Sequence, residues 1–145
     1  MFKSKIKKSI LFLGYDNTQT RLINELLKKD CNVSLSSGKI KSLDNYDLVI
    51  SFGYRHLIRK EILDNTKIPI INLHISYLPW NRGAHPNFWA FFDSTPAGVS
   101  IHLVDEGIDT GPIIAQKLIK FDTENFNFKE TYLILINEVE KLFLE

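Results

Sequence analysis

The chain has 145 residues, 44% of them apolar, which is one domain's worth at roughly 100 to 200 residues per domain and enough to bury about two-thirds of the unfolded surface. A charged fraction of 24% matches the globular average and excludes a disordered chain or a collagen-like repeat. Eighteen Lys and Arg against 17 Asp and Glu leave +1, so no strong field draws the protein to nucleic acid or to an anionic membrane, and any anionic ligand must be gripped locally.

At the N-terminus, a segment from Met1 to Ser9 with four lysines precedes Ile10 to Leu13. That apolar run is too short for a secretory signal, and no other stretch nears the roughly 20 apolar residues of a membrane span. With a single cysteine, Cys31, a reducing compartment suits the chain, and the expected location is the cytoplasm.

Ile10 to Leu13 reads as a buried first strand ending in a turn cluster. A helix is expected next, capped by Asn17 or Thr18, with Leu22, Ile23, Leu26 and Leu27 at helical spacing up to Lys28 and Lys29. Cys31 to Leu35 reads as a strand edge, Ser36 to Gly38 as a turn, Leu48 to Phe52 as a second buried strand and His56 to Leu63 as a short helix. Ile68 to His74 is a third strand, with Pro69 near its start, where a missing ladder donor is tolerated. Alternating strands and helices predict an α/β fold with a parallel sheet covered on both faces. Pro86 to Phe92 follows as a helix with Pro86 in its first turn, and Trp89 and Phe92 are expected to be core aromatics. Gly98 to Val104 and Ile113 to Ile119 are separated by a connection too short for a helix, which predicts an antiparallel or irregular pair. Asn127 and Glu130 begin a terminal helix as a capping box, with Phe128, Tyr132, Leu135, Val139 and Leu142 as its apolar stripe.

Asn72 and His74 stand two apart at a strand end, so both side chains share a face. In an open α/β sheet the ligand crevice lies beyond the carboxyl ends of the strands. Asp109 lies in a loop flanked by Gly107 and Gly111, glycines that allow positive φ and close backbone approach to a flat ligand. Taken singly, each residue is also explained as a turn or core residue. Together, an amide, an imidazole and a carboxylate suffice for acyl transfer without a covalent enzyme intermediate. Asn72 and His74 would stabilise the oxyanion formed when an amine attacks a carbonyl, and Asp109 would orient His74 and help move the proton.

The ordered segments Ile71-Asn-Leu-His-Ile-Ser-Tyr-Leu-Pro79, Arg82-Gly83, Pro86, Gly98-Val-Ser-Ile-His102 and Asp105-Glu-Gly-Ile-Asp-Thr-Gly-Pro-Ile-Ile-Ala-Gln116 resemble the folate-dependent formyltransferase family over roughly Asp47 to Gln116. The resemblance implies a Rossmann-like three-layer domain over residues 1–145, shortened at both ends, that uses 10-formyltetrahydrofolate and no metal. It maps the family's catalytic residues onto Asn72, His74 and Asp109. It also assigns His56, Leu57 and Ile58, with Asp105, Glu106, Gly107 and Ile108, to the pterin pocket, and it places His102 beside the catalytic centre. Arg82 and His102 are expected on the substrate rim, where Arg82 would meet a phosphate or carboxylate or else brace the loop through an ion pair.

Gly14-Tyr-Asp-Asn17 is not the family's glycine-rich phosphate loop, which disfavours glycinamide ribonucleotide, and the basic excess of a tRNA binder is missing. The segment from Cys31 to Asp47 looks compressed relative to the family. The wording Tyr54-Arg-His, Ile75-Ser-Tyr-Leu-Pro79 and Asn81-Arg-Gly-Ala-His-Pro-Asn-Phe-Trp89 resembles the sugar-amine branch. The expected substrate is therefore a primary amine on a nucleotide-linked amino sugar, with no nucleic acid or membrane partner and with a homodimer allowed. Three rival readings stay open: a formyltetrahydrofolate hydrolase, a non-catalytic folate-binding or regulatory module, and a metal site of His74, His102 and Asp109, whose wide spacing gives no compact metal motif.

Overall fold

A computed structural model describes residues 5–122 and 124–145, so Met1 to Ser4 of the basic start lie outside the described residues. The chain forms two compact units, Met1–Ile70 and Ile71–Glu145. The first unit holds strands β1 (Ser9–Gly14), β2 (Asn32–Ser36) and β3 (Leu48–Phe52), with helices α1 (Leu22–Lys28) and α2 (Lys60–Asp64). β1 is central and parallel to both neighbours, so that Ile10 pairs with Val33 on one side and Leu48 on the other. This is the α/β arrangement expected from strands alternating with helices. Phe12, Leu13, Val49, Ile50 and Phe52 are buried to 1% exposure or less, and each contributes about 1.5–3 kcal/mol on burial.

Several local expectations are corrected. Asn17 and Thr18 do not cap α1, because the Asp16 carboxylate draws in the Thr18 N–H and hydroxyl to close a turn there. The helix starts later, at Leu22, whose N–H donates to the buried Thr20 hydroxyl. Its inward stripe is Leu22, Ile23 and Leu26, with Leu27 exposed. Helix α2 begins at Lys60 and not at His56, because Arg59 is extended. Residues 37–47 carry neither helix nor strand.

The second unit contains β4 (Ile70–His74), which begins at the boundary, then α3 (Pro86–Phe92), β5 (Gly98–Leu103), β6 (Ile113–Leu118) and α4 (Phe128–Leu144). β5 is antiparallel to both β4 and β6, with a register irregularity at Ile101 and His102. α4 opens on the expected capping box, in which Glu130 N–H donates to Asn127 Oδ1 and Asn127 N–H donates to Glu130 Oε2. Its buried face is Thr131, Leu135, Ile136, Val139 and Glu140, while Phe128 is exposed. Trp89 and Phe92 are not core residues. They are 43% and 69% exposed, because α3 turns Asn87 and Ala90 inward. Asn87 then serves as a polar strut, donating to Phe128 O and accepting from the Thr131 hydroxyl. No helix among the described residues is long and apolar enough to cross a membrane.

Candidate active site

The site follows from strand register. Asn72 lies opposite His102 in the β4–β5 ladder, and cross-strand partners share a face, as do residues two apart on one strand. Asn72, His74 and His102 therefore project together. Asp109 arrives from the β5–β6 connection, whose ends are closed by Leu103 N–H donating to Pro112 O at 2.9 Å. Gly111 permits this closure, since a Cβ there would lie 1.7 Å from Leu103 O. Asp109 itself adopts a left-handed φ of 53°, which aspartate tolerates better than most residues.

The carboxylate is the hub of the cluster. Asp109 Oδ1 accepts from Asn72 Nδ2 at 3.1 Å and stands 3.3 Å from His102 Nε2. Oδ2 accepts the Gly83 N–H at 2.8 Å and stands 3.5 Å from His74 Nε2. The Asp109 side chain is only 12% exposed. Asn72 Nδ2 also lies 3.2 Å from His102 Nε2, while His102 Nδ1 faces Leu103 O at 2.8 Å. Because a carbonyl can only accept, Nδ1 of His102 carries a proton, while its Nε2 faces both the Asn72 amide and the Asp109 carboxylate. His74 Nε2 faces Asn81 O at 3.0 Å, so by the same reasoning Nε2 is protonated and the neutral ring keeps its lone pair on Nδ1.

Burial disfavours the charged imidazole of His74 and outweighs the attraction of Asp109 and the Asn81 carbonyl, so its pKa lies below the ordinary histidine value. For Asp109, burial pushes upward, but the neighbouring His102 and His74 rings and the Gly83 N–H outweigh it and hold the carboxyl below its ordinary value. The resting pair is thus a neutral imidazole beside a carboxylate.

Around this cluster the β4–α3 connection is tied down at each step. Ser76 Oγ donates to Trp80 O at 2.8 Å, Ser100 Oγ donates to Ser76 O at 2.7 Å, and Gln116 Nε2 donates to Leu78 O at 2.6 Å. The supporting roles of Asn81, Gly83, Ser100 and Gln116 are not visible in the sequence pattern, because two of the site contacts use backbone atoms. Asn and Gly, the residue types that accept positive φ, are the signal that could have pointed to residues 81 and 83.

The other expected site residues fall as follows. His102 is 2% exposed, which corrects its placement on a rim: it lies under the carboxylate. Arg82 is exposed and pairs with no acid among the described residues, so it does not brace the loop by an ion pair. Asp105 accepts from the Gly107 N–H and the Thr110 hydroxyl and so shapes its own loop. Thr110 holds the Asp105 carboxyl below its ordinary value. Glu106 and Gly107 are exposed, and Ile108 is 54% exposed. In the first unit Leu57 is 68% exposed, Ile58 is buried, and His56 packs edge-on against Tyr54. Among the described residues, no group of three or more His, Cys, Asp or Glu side chains is arranged to hold a metal ion.

This cluster is set on strand ends and closed by a glycine-flanked loop. Residues 24–133 match the formyl transferase family model, and the chain belongs to that family. It is 38% identical over 120 residues to the methionyl-tRNA formyltransferase of Finegoldia magna, covering 82% of this chain and 36% of the relative. It is 34% identical to the dTDP-4-amino-4,6-dideoxyglucose formyltransferase of Mycobacterium bovis over 60% of this chain and 36% of that one. The chain thus spans about a third of the length of these curated relatives. Among solved structures, it superposes on the formyltransferase PseJ from Anoxybacillus kamchatkensis with a TM-score of 0.83 and 41% identity, covering 94% of this chain and 72% of PseJ. That protein was crystallised with UDP-4,6-dideoxy-4-formamido-L-AltNAc and tetrahydrofolate.

Proposed function

We propose that the chain transfers a formyl group from 10-formyltetrahydrofolate to a primary amine, and that the amine belongs to a nucleotide-linked amino sugar. The observation that carries the reading is the convergence of Asn72, His74 and Asp109, three positions separated in sequence, within hydrogen-bond or ion-pair reach of one carboxylate. The bound folate supplies a formyl group on nitrogen. Asn72 offers the amide hydrogen that it does not give to Asp109 to the oxygen that becomes an oxyanion when the amine attacks. Neutral His74 takes the proton released by the attacking nitrogen at Nδ1, and returns it to the departing nitrogen. Asp109 stabilises the imidazolium in the interval.

The residues assigned to the pterin offer suitable surfaces in each unit by itself. Leu57 in one and Ile108 in the other expose apolar side chains, and the loop around Gly107 presents backbone groups, the mixture that flat heteroaromatic ligands take. Arg82, exposed and unpaired, suits a nucleotide phosphate. The sugar acceptor is favoured over tRNA by the near-neutral charge of +1 and by the 41% identity to PseJ, which was crystallised with a formamido sugar nucleotide. The free thiol of Cys31 suits a cytoplasmic location.

The test is to incubate the protein with 10-formyltetrahydrofolate and a panel of nucleotide-linked amino sugars, charged initiator tRNA and glycinamide ribonucleotide, following tetrahydrofolate release. Formamide formed with an amino sugar alone supports the assignment. Formate release in the absence of any amine would make the chain a hydrolase, and folate binding without turnover a binding module.

A further inference from the structure

We infer that Asn81 is a positioning residue that sets the tautomer of His74, through a main-chain carbonyl that its left-handed conformation delivers to Nε2. Asn81 has φ 58°, a region that asparagine visits and that β-branched side chains avoid. Its carbonyl stands 3.0 Å from His74 Nε2, nearer than the Asp109 carboxylate oxygen at 3.5 Å. Its side chain donates to Thr95 Oγ1 at 2.8 Å, which anchors the residue from the other side. Two residues on, the Gly83 N–H donates to Asp109 Oδ2 at 2.8 Å. One short stretch of backbone therefore grips both the imidazole and the carboxylate.

The chemical consequence lies in which nitrogen is free. With Nε2–H committed to Asn81, a neutral His74 must keep its lone pair on Nδ1. Asp109 Oδ2 favours the same Nε2–H from 3.5 Å, but the Asn81 carbonyl at 3.0 Å is the nearer acceptor. His74 is 8% exposed, and the groups facing it are Asp109, His102 and the Asn81 carbonyl. Among the described residues no other backbone group is bonded to its ring, so loss of the carbonyl leaves only the longer Asp109 contact to favour Nε2–H. The inference rests on the formyl-transfer reading only for its kinetic arm.

The experiment compares Asn81→Gly, Asn81→Val and Thr95→Val in the full chain. Imidazole nitrogen–proton correlation spectra, assigned with His74→Gln, report the tautomer without any substrate. Glycine accepts positive φ and keeps the carbonyl. Asn81→Gly keeps the carbonyl but loses the Thr95 anchor, so it should behave like Thr95→Val, with the Nε2–H form still dominant and a small fall in kcat, while Asn81→Val should show mixed tautomers and at least about a tenfold loss in kcat with KM little changed. Should Asn81→Val fail to fold, Thr95→Val, which only cuts the anchor, should show partial tautomer mixing and a smaller fall in kcat. Retention of the Nε2–H pattern in the valine variants, or a glycine variant as impaired as Asn81→Val, overturns the proposal. A parent protein with a fixed Nε2–H and no transfer to any amine overturns the functional reading and leaves the positioning role standing.

Discussion

At the scale of single residues, the proposed mechanism needs a neutral His74 beside the Asp109 carboxylate, and substitutions there should cost activity more than stability. His74→Ala and Asp109→Asn should each lower formyl transfer by at least about a hundredfold, as loss of proton-transfer or oxyanion groups does, with folding checked by circular dichroism. Asn72→Ala should still bind a folate analogue in calorimetry, because the amide serves the reacting oxygen and not the ring. The lowered pKa of His74 fixes the sign of the pH dependence. Transfer should hold its plateau as pH drops through about 6.5, the ordinary histidine value, and fall only at lower pH as the ring protonates. The structure brings Asn72, His74 and Asp109 together, and what picked them out in the sequence was the ordered family motifs, because each taken singly is also explained as a turn or core residue. Asn81 and Gly83 were not legible in their roles, since what they contribute is a carbonyl and an N–H that every such residue carries.

At the scale of elements, local signals succeeded where a side chain dictates the backbone and failed where packing does. The α4 capping box was readable because Asn127 and Glu130 satisfy each other's N–H groups whatever surrounds them. Asn127→Ala should cost about 1 kcal/mol in denaturant unfolding. Leu135→Ala, at 1% exposure, should cost about 2–5 kcal/mol through lost burial and the remaining cavity. The rotation of α3 could not be read from composition. Its residues are aromatic on several sides, and only the bonds of Asn87 to Phe128 and Thr131 show which side faces in. The late start of α1 has a similar cause, since an aspartate turn at Asp16 competed successfully for Thr18.

At the scale of the whole molecule, the near-neutral charge leaves recognition to local groups such as Arg82, and the proposed acceptor, an amino sugar on a nucleotide, is chosen partly on that ground. Arg82→Ala should raise KM for such an acceptor and leave folate affinity unchanged, measured by steady-state kinetics and calorimetry. Burial of His74 also links the site to global stability. The unfolded chain protonates near pH 6.5 and the folded chain only at lower pH, so unfolding free energy should decline as pH falls through that interval and level off below it. The central claim, that Asn72, His74 and Asp109 act together on one formyl group, is tested most directly by single-turnover transfer from 10-formyltetrahydrofolate to a nucleotide-linked amino sugar in the three single variants and the triple variant. Residues working as one unit lose activity non-additively. The triple variant should be scarcely slower than the worst single one, whereas losses that multiply across the three positions, or single variants that transfer at the parent rate, would contradict the account.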